Sequence, residues 1–180
     1  MSDTKTINQT RLCLVKGDIT DLEVEAFVFY ARNDLELGAG YGNAIAMRGG
    51  LSVKNELKGL GPVETGKSVV TKAGEMKAQK IVHAVGPKFQ EPDTEAKLKA
   101  TMRSALVAAE ACGIKQLAFP AMGAGFYAIP LDLCSRVMLT SLREYLTESA
   151  GIEEVLICVL SNRDYKPFAE TLDKLNLEGL

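Results

Sequence analysis

Six short apolar runs alternate with helical patterns along this chain of 180 residues. Several of these runs are continuously apolar, and the clearest is Val155–Leu160. A strand without a polar face has to be covered on both sides, as strands are at the centre of a parallel sheet. The helices between the runs then lie on both sides of that sheet. The pattern therefore predicts an α/β protein with a three-layer α/β/α fold.

The order of the runs also predicts a mixed sheet. Residues 73–79 separate the third and fourth predicted strands. They are too few for a helical crossover, so these two strands should form an antiparallel hairpin. We expect residues 1–180 to form one domain, with residues 1–10 as a polar N-terminal extension. The predicted strands are Arg11–Val15, Ala26–Tyr30, Ser68–Lys72, Lys80–Val85, Gln116–Phe119 and Val155–Leu160. The predicted helices are Gly42–Arg48 continuing into Leu51–Lys58, Asp93–Ala111, Leu131–Ser149 and Tyr165–Leu175.

Composition limits the classes of function. The chain has 21 Lys and Arg against 23 Asp and Glu, so it has no basic excess and general nucleic-acid binding is not expected. No apolar run approaches the ~20 residues of a membrane span, and the N-terminus lacks the apolar segment of a signal peptide. The cysteines form no CxxC pair and there is a single histidine, so neither a metal nor a cofactor is predicted. We expect a cytoplasmic protein with reduced, buried thiols at Cys13, Cys112, Cys134 and Cys158.

Two loops of small residues follow predicted strands. Gly123–Tyr127 lies between the run that ends at Phe119 and a helix, and Gly38–Gly42 lies between Ala26–Tyr30 and another helix. Small residues let backbone N–H groups turn toward one point, and the helix that follows adds the positive end of its dipole. Two such loops at the carboxyl ends of strands indicate a ligand with two phosphates. The alternative, that both are only tight turns between strand and helix, stays open.

Two other nucleotide-binding patterns are not supported. Gly61–Ser68 satisfies the GxxxxGK[ST] pattern, but a phosphate-binding loop of that type needs a strand before it and a helix after it. Here a helical pattern precedes the segment and a strand follows. The spacing of Gly38, Gly40 and Gly42 places the third glycine one position too early for the dinucleotide fingerprint.

From Arg11 to about Leu172 the chain resembles the macrodomains, a family that binds ADP-ribose and related nucleotides. Any one of the matching segments is weak evidence, but six in the same order are specific. The segments are Gly17–Thr20 (GDIT), Val24–Val28, Gly38–Ile45 (GGGVxxAI), Thr65–Thr71 (TGxAxxT), Ile81–Pro87 (IHxVGP) and Phe119–Pro130 (FPAxxxGxYxxP).

The resemblance implies an adenine site beside the first predicted strand. In it, Asp18 accepts a hydrogen bond from the exocyclic amine of adenine and the Ile19 N–H reaches a ring nitrogen. From the residues alone, Asp18 could equally be a turn or helix cap. The position at which the family often carries an aromatic residue corresponds to Leu160, so weaker stacking is expected. Asn162 is either a polar neighbour of the base or a solvated loop residue.

The resemblance also assigns the two glycine loops to the phosphates and the distal ribose. Phe126 and Tyr41 would form walls of the ribose site, although an aromatic residue at such a place can simply pack in the core. The residues assigned to the pyrophosphate are Gly123, Ala124, Gly125, Phe126 and Tyr127, and those on the other side of the ligand are Gly38, Ala39, Gly40 and Tyr41.

The chain departs from the hydrolytic members of the family. The common hydrolases carry an NAAN segment and a later Asp, which correspond here to Phe29–Arg32 and Gly42. A second hydrolase subtype uses a Lys and an Asp, and the corresponding stretches of this chain contain neither. The single histidine, His83, falls in a predicted strand and is interpreted as a core residue. Acid–base catalysis needs a titratable group within reach, and the matching motifs place none. The remaining catalytic candidates are Asn33, one position away from the asparagine of the family, and Asp34.

The sequence thus predicts a protein that binds ADP-ribose or a related adenine nucleotide, with ADP-ribose or an ADP-ribosylated macromolecule as its partner. One alternative is a hydrolase of ADP-ribosyl groups or of ADP-ribose-1''-phosphate that uses Asn33, Asp34 and a bound water. A second alternative is a protein-interaction scaffold with a vestigial pocket. Arg32 either contacts a phosphate or carboxylate near the distal ribose or points into solvent.

Overall fold

The computed structural model of the protein describes residues 3–149 and 151–175. Within them the chain forms strands β1 (Thr4–Ile7), β2 (Thr10–Lys16), β3 (Ala26–Ala31), β4 (Ser68–Lys72), β5 (Lys80–Val85), β6 (Gln116–Phe119) and β7 (Glu154–Val159). The helices are α1 (Tyr41–Gly49), α2 (Leu51–Leu57), α3 (Thr94–Ala111), α4 (Leu131–Glu148) and α5 (Asn162–Lys174). A short 3-10 helix (Ile19–Asp21) follows β2.

The strands form one mixed sheet in the order β1-β2-β7-β6-β3-β5-β4. The five inner strands are parallel, and β1 and β4 pair antiparallel at the two edges. Helices α1 and α2 cover one face of the sheet, and α3, α4 and α5 cover the other. The predicted three-layer architecture, the mixed sheet and the β4–β5 hairpin are confirmed.

Side chains of the inner strands are buried on both faces, which explains their continuous apolar sequence. In β3, Val28 packs on the side of α3 to α5 while Phe27 packs on the side of α1 and α2. In β7, Ile157 and Cys158 divide between the faces in the same way. Within the described residues both faces of these strands are covered, so a ligand can approach them from their ends.

Three local features differ from the expectation. Residues of the predicted polar extension form β1, whose last residue, Ile7, is fully buried. The helix expected to run from α1 into α2 is broken at Gly50, which has a positive φ of 76°. Helix α5 begins at Asn162 rather than Tyr165, because Ser161 caps it by accepting from the Asp164 N–H at 3.2 Å.

The prediction of buried thiols is correct for two of the cysteines. Cys134 and Cys158 are buried, Cys13 is half-buried, and Cys112 is exposed. The prediction is wrong for Cys112 because that residue caps the C-terminus of α3, outside the packed face of the helix. Among the described residues, no helix combines the length and the apolar character needed to cross a membrane.

His83 lies in the core of β5, as predicted. Its side chain is 1% exposed, and its Nε2 is 2.9 Å from Thr71 Oγ1. Burial lowers the pKa of His83 from 6.5 to about 4. Between these two values the unfolded chain binds a proton at this residue and the folded chain does not, so acid selectively favours unfolding.

We therefore expect a pH-dependent contribution of His83 to stability. Above about pH 6.5 His83 makes no pH-dependent difference to the free energy of unfolding. As the pH falls from 6.5 toward 4, this residue lowers the free energy of unfolding, with a slope of at most about 1.4 kcal/mol per pH unit. Chemical denaturation of the wild type and of His83→Gln at several pH values measures it as the difference between the two curves, in which the carboxylate contributions cancel. Parallel curves across this range would contradict the expectation.

Candidate functional site

The parallel strands bring five loops to one edge of the sheet. In spatial order from β2 to β5, residues 17–18, 160–161, 120–130, 32–40 and 86–91 leave the carboxyl ends of their strands. Neighbouring strands are about 4.8 Å apart, so the four spacings from β2 to β5 cover about 19 Å. An extended ligand can therefore lie across the ends of all five strands, as ligands do in such sheets.

Asp18 stands where β2 ends and caps the 3-10 helix. Its Oδ1 accepts from the Thr20 N–H at 2.9 Å and from Thr20 Oγ1 at 2.6 Å, and its Oδ2 lies 3.3 Å from Arg48 Nη1. The side chain is still 36% exposed. Oδ1 therefore caps the 3-10 helix, which is the alternative role that the sequence offered for Asp18. Oδ2 keeps room for another donor, because a carboxylate oxygen accepts more than one hydrogen bond.

The surroundings of Asp18 combine one anchored turn with open apolar surface. The Ile19 side chain is buried, and its N–H makes no hydrogen bond within the described residues. Leu160, directly after β7, is 60% exposed. Asn162 is not simply solvated, since its Oδ1 accepts from Lys16 Nζ at 2.7 Å. Tyr41 is half-buried, and burial raises its phenol pKa, with a smaller effect from the charge of Asp18.

The loop 38–40 leads directly into α1. Gly38 and Gly40 have positive φ angles of 65° and 62°, a region that favours glycine. Gly40 is the N-cap of α1. In the part of the chain that the structure describes, the N–H groups of Gly38, Ala39 and Gly40 form no hydrogen bond. Unpaired donors thus lie at the positive end of a helix dipole.

The loop 123–127 has a tight beginning and an open middle. At Gly123, with φ of 77°, a Cβ would lie 2.5 Å from Ile129 Cδ1 and 3.0 Å from Tyr30 Cζ, so only glycine fits. At Gly125 a Cβ would meet no atom within 4 Å. The Ala124 N–H is used inside the turn, where it donates to Ala121 O at 3.2 Å.

The rest of this second loop offers donors and an exposed ring. Within residues 3–149 and 151–175, the N–H groups of Gly123, Gly125, Phe126 and Tyr127 form no hydrogen bond. The Phe126 side chain is 94% exposed and meets the Tyr127 ring edge-on, with 5.7 Å between centroids. Phe126 is therefore not a core residue, and the ring is free to contact a ligand.

Arg32 lies against the first loop rather than pointing away from it. Its Cδ and Nη1 are 3.9 Å from the position that a Cβ on Gly38 would occupy, and its Nη2 is 2.6 Å from Asp34 Oδ2. Asp34 Oδ1 accepts from the Glu36 N–H at 3.0 Å. That hydrogen bond, together with the smaller effect of Arg32, lowers the pKa of Asp34.

The Asn33 side chain is committed to the neighbouring loop. Its Nδ2 donates to Val63 O at 2.9 Å, while the Val63 N–H donates back to Asn33 O at 2.8 Å. Asn33 also lines a cavity of about 430 Å³ beyond the end of β3. The lining residues are Asn33, Thr65, Gly86, Lys88, Phe89, Gln90, Glu91 and Tyr127.

The sequence profile of the Macro domain family matches residues 31–138, more than half of the chain. The chain belongs to the macro domain family. A macro domain-containing protein of Caldanaerobacter subterraneus subsp. tengcongensis is 34% identical over 172 residues, which cover 92% of this chain and 98% of that protein.

Solved macrodomains have the same fold as this macro domain. An Oceanobacillus iheyensis macrodomain with ADP superposes with a TM-score of 0.91 at 26% identity, covering 96% of this chain and 95% of that one. A Trypanosoma brucei macrodomain in complex with ADP-ribose gives a TM-score of 0.84 at 25% identity, covering 89% of this chain and 68% of that one.

Phe29, Arg32 and Gly42 stand at the positions compared above with the asparagines and the acid of the hydrolases. The Phe29 ring packs edge-on against His83, with 6.0 Å between the centroids. Gly42 is buried in the first turn of α1, and a Cβ there would lie 1.5 Å from Leu37 O. An acidic side chain at position 42 would therefore require the Leu37 carbonyl to move.

Sequence reasoning did not anticipate two residues that shape this macro domain's cleft. The Tyr30 ring lies between Gly86 and Gly123, and its hydroxyl donates to Pro87 O. It therefore packs directly against the loop 123–127. Arg48 pairs with Asp18. A signal for Arg48 was present, because it follows Tyr41 by seven residues and two helical turns place both on the same face of α1.

Proposed function

We propose that this macro domain binds ADP-ribose or a closely related adenine nucleotide along the carboxyl edge of its sheet. The observation that carries the proposal is the order of groups along that edge: a carboxylate at β2, unpaired N–H groups at β6 and β3, and a polar cavity beyond β3. ADP-ribose presents an amine, two phosphates and a second ribose in the same order. The solved relatives with ADP and with ADP-ribose support this assignment.

At the adenine end, Asp18 Oδ2 would accept from the exocyclic amine and the Ile19 N–H would donate to a ring nitrogen. A carboxylate at this place favours adenine over bases that present a carbonyl there, because two acceptors repel each other. The exposed Leu160 side chain would cover one face of the base. Aliphatic contact buries apolar area but lacks the additional energy of aromatic stacking.

In the middle of the cleft, the two glycine loops would hold the pyrophosphate between them. Unpaired N–H groups on both loops and the N-terminus of α1 supply partial positive charge without a bulky side chain. Phe126 and Tyr41 would form the walls of the ribose site. Arg32, which already lies against Gly38, would add a full charge near the second phosphate or an anionic group beyond it.

At the distal end, the two catalytic candidates are poorly suited to activate a water. The Asn33 amide nitrogen is engaged by Val63 O, and the Asp34 carboxylate is engaged by Arg32 and the Glu36 N–H. The lowered pKa of Asp34 also makes it a weaker base than an ordinary carboxylate. We therefore propose a binding function for ADP-ribose, either free or attached to a macromolecule, rather than its hydrolysis.

Titration calorimetry with ADP-ribose, ADP, ATP and guanosine diphosphate tests the proposed function. We expect saturable binding of ADP-ribose at one site, measurable binding of ADP, and markedly weaker binding of the guanine nucleotide. Absence of heat with every nucleotide would contradict the proposal and would favour the protein-interaction scaffold.

A release assay tests the absence of catalysis. We expect that the wild type, incubated with a protein carrying ADP-ribose on acidic side chains, releases no more ADP-ribose than a buffer control, because the side chains of Asn33 and Asp34 are engaged by other groups. Asn33→Ala and Asp34→Asn serve as comparison variants. Robust release by the wild type that either substitution removes would identify that residue as catalytic and contradict the binding-only assignment.

A further inference from the structure

Arg48 closes a network of hydrogen bonds around the Asp18 carboxylate. Its Nη1 donates to Thr20 Oγ1 at 3.0 Å and lies 3.3 Å from Asp18 Oδ2. Thr20 Oγ1 in turn donates to Asp18 Oδ1 at 2.6 Å. The carboxylate is thus held at both oxygens, by Thr20 on one side and by Arg48 on the other. Such a carboxylate has one orientation rather than several.

The neighbouring acidic residue does not compete strongly for Arg48. Asp21 Oδ1 is 4.0 Å from Arg48 Nη1 but only 3.0 Å from Lys77 Nζ. The pairing with Lys77 lowers the pKa of Asp21. Asp18 and Asp21 therefore pair with different cations. The Arg48 guanidinium contacts mainly Asp18 and Thr20.

Helix α1 connects Arg48 to the first glycine loop. The helix starts at the loop whose N–H groups are unpaired within the described residues, and Arg48 lies in its last turn. Ile45, fully buried in the same helix, fixes α1 against the sheet. The backbone of Arg48 is therefore fixed relative to the start of the helix, and the guanidinium is held in place by Asp18 and Thr20.

We propose that Arg48 is a positioning residue for adenine: it fixes Asp18 Oδ2 relative to the glycine loop and thereby sets the base selectivity of the cleft. The inference rests on the proposed function. Without the guanidinium, Asp18 keeps only its bonds to Thr20, and Oδ2 is free to turn away from the base. Recognition of the base then weakens, while the N–H groups that face the phosphates are unchanged.

The test compares ADP with inosine diphosphate, whose base carries a carbonyl in place of the adenine amine. For Arg48→Met we expect the Kd of ADP to rise about two- to fivefold, the range that an exposed ion pair supports. The Kd of inosine diphosphate should stay unchanged or fall, because a carboxylate that turns away no longer repels the base carbonyl. Arg48→Lys should recover part of the selectivity, because it restores the charge without the planar geometry. Arg136→Met breaks an exposed pair with Glu95 between α3 and α4, on the face of the sheet opposite to Arg48; it is the matched control and should leave both Kd values unchanged.

Equal weakening of both nucleotides by Arg48→Met, or no change in either, would overturn the proposal, since it would assign Arg48 a general structural role or none. Failure of the proposed function itself gives a different result. In that case the wild type binds neither nucleotide, or binds both without preference for adenine.

Discussion

Gly125→Glu is expected to lower the affinity for ADP-ribose by more than about a hundredfold without unfolding the protein. A Cβ at this position meets no atom within 4 Å, so the fold accommodates a side chain. The carboxylate, however, would lie among the N–H groups that we assign to the pyrophosphate. Placing like charges together costs several kcal/mol, and each 1.4 kcal/mol corresponds to a tenfold change in Kd. Calorimetry measures the Kd, and thermal unfolding checks the fold.

Gly125→Gln separates the effect of charge from that of bulk. It has nearly the same size as the Glu variant but lacks its charge, so we expect it to weaken binding at least about tenfold less than Gly125→Glu. Normal binding by Gly125→Glu would place the phosphates elsewhere. Equal loss in both variants would mean that steric exclusion, and not the anionic character of the ligand, dominates at this loop.

Asp18→Asn is expected to weaken ADP-ribose binding by about ten- to a hundredfold, because a hydrogen bond to a charged group contributes about 1.5–3 kcal/mol. Asn is preferable to Ala here because it still caps a helix N-terminus, so the 3-10 helix that Asp18 caps through Thr20 is retained. With the side-chain oxygen kept at the cap, the amide NH2 would face the adenine amine, and two donors would meet.

Asp21→Asn provides the control for this substitution. Asp21 lies in the same 3-10 helix and pairs with Lys77. Unlike Asp18, it does not cap that helix and has no role in the proposed base site. We expect a change in Kd of less than about twofold, because the pair of Asp21 with Lys77 has no contact assigned to the ligand. If Asp18→Asn binds ADP-ribose as the wild type does, Asp18 is only a capping residue and the adenine end must be assigned elsewhere.

The architecture could be predicted because both faces of the inner strands are buried, so their sequences are apolar without interruption. Strand β1 could not, since a four-residue strand at the edge buries only Ile7 fully and leaves no apolar run to detect. The break between α1 and α2 was missed for the opposite reason. The helical periodicity continues through Gly50, and only its positive φ in the folded chain separates the helices.

The candidate site could be predicted only in its local parts. The glycine loops are visible in sequence because their conformation depends on residues next to one another. The partners of Asp18 and Asn33 are not, because Arg48 and Val63 reach them only after α1 and the following loop have docked. The steric block at Gly42 likewise depends on where the backbone of Leu37 passes, which no residue type indicates.

Strand β1 has a practical consequence for anyone shortening the chain. The segments that resemble the family begin near Arg11, so a fragment cut there would keep every recognisable motif and still lose β1. The long, largely apolar strand β2 would then become the border of the sheet, with its free N–H and C=O groups open to another molecule. The four residues of β1 thus protect the edge of the sheet. Aggregation of such a fragment would reflect the exposed edge of β2 and would say nothing about the stability of the nucleotide cleft.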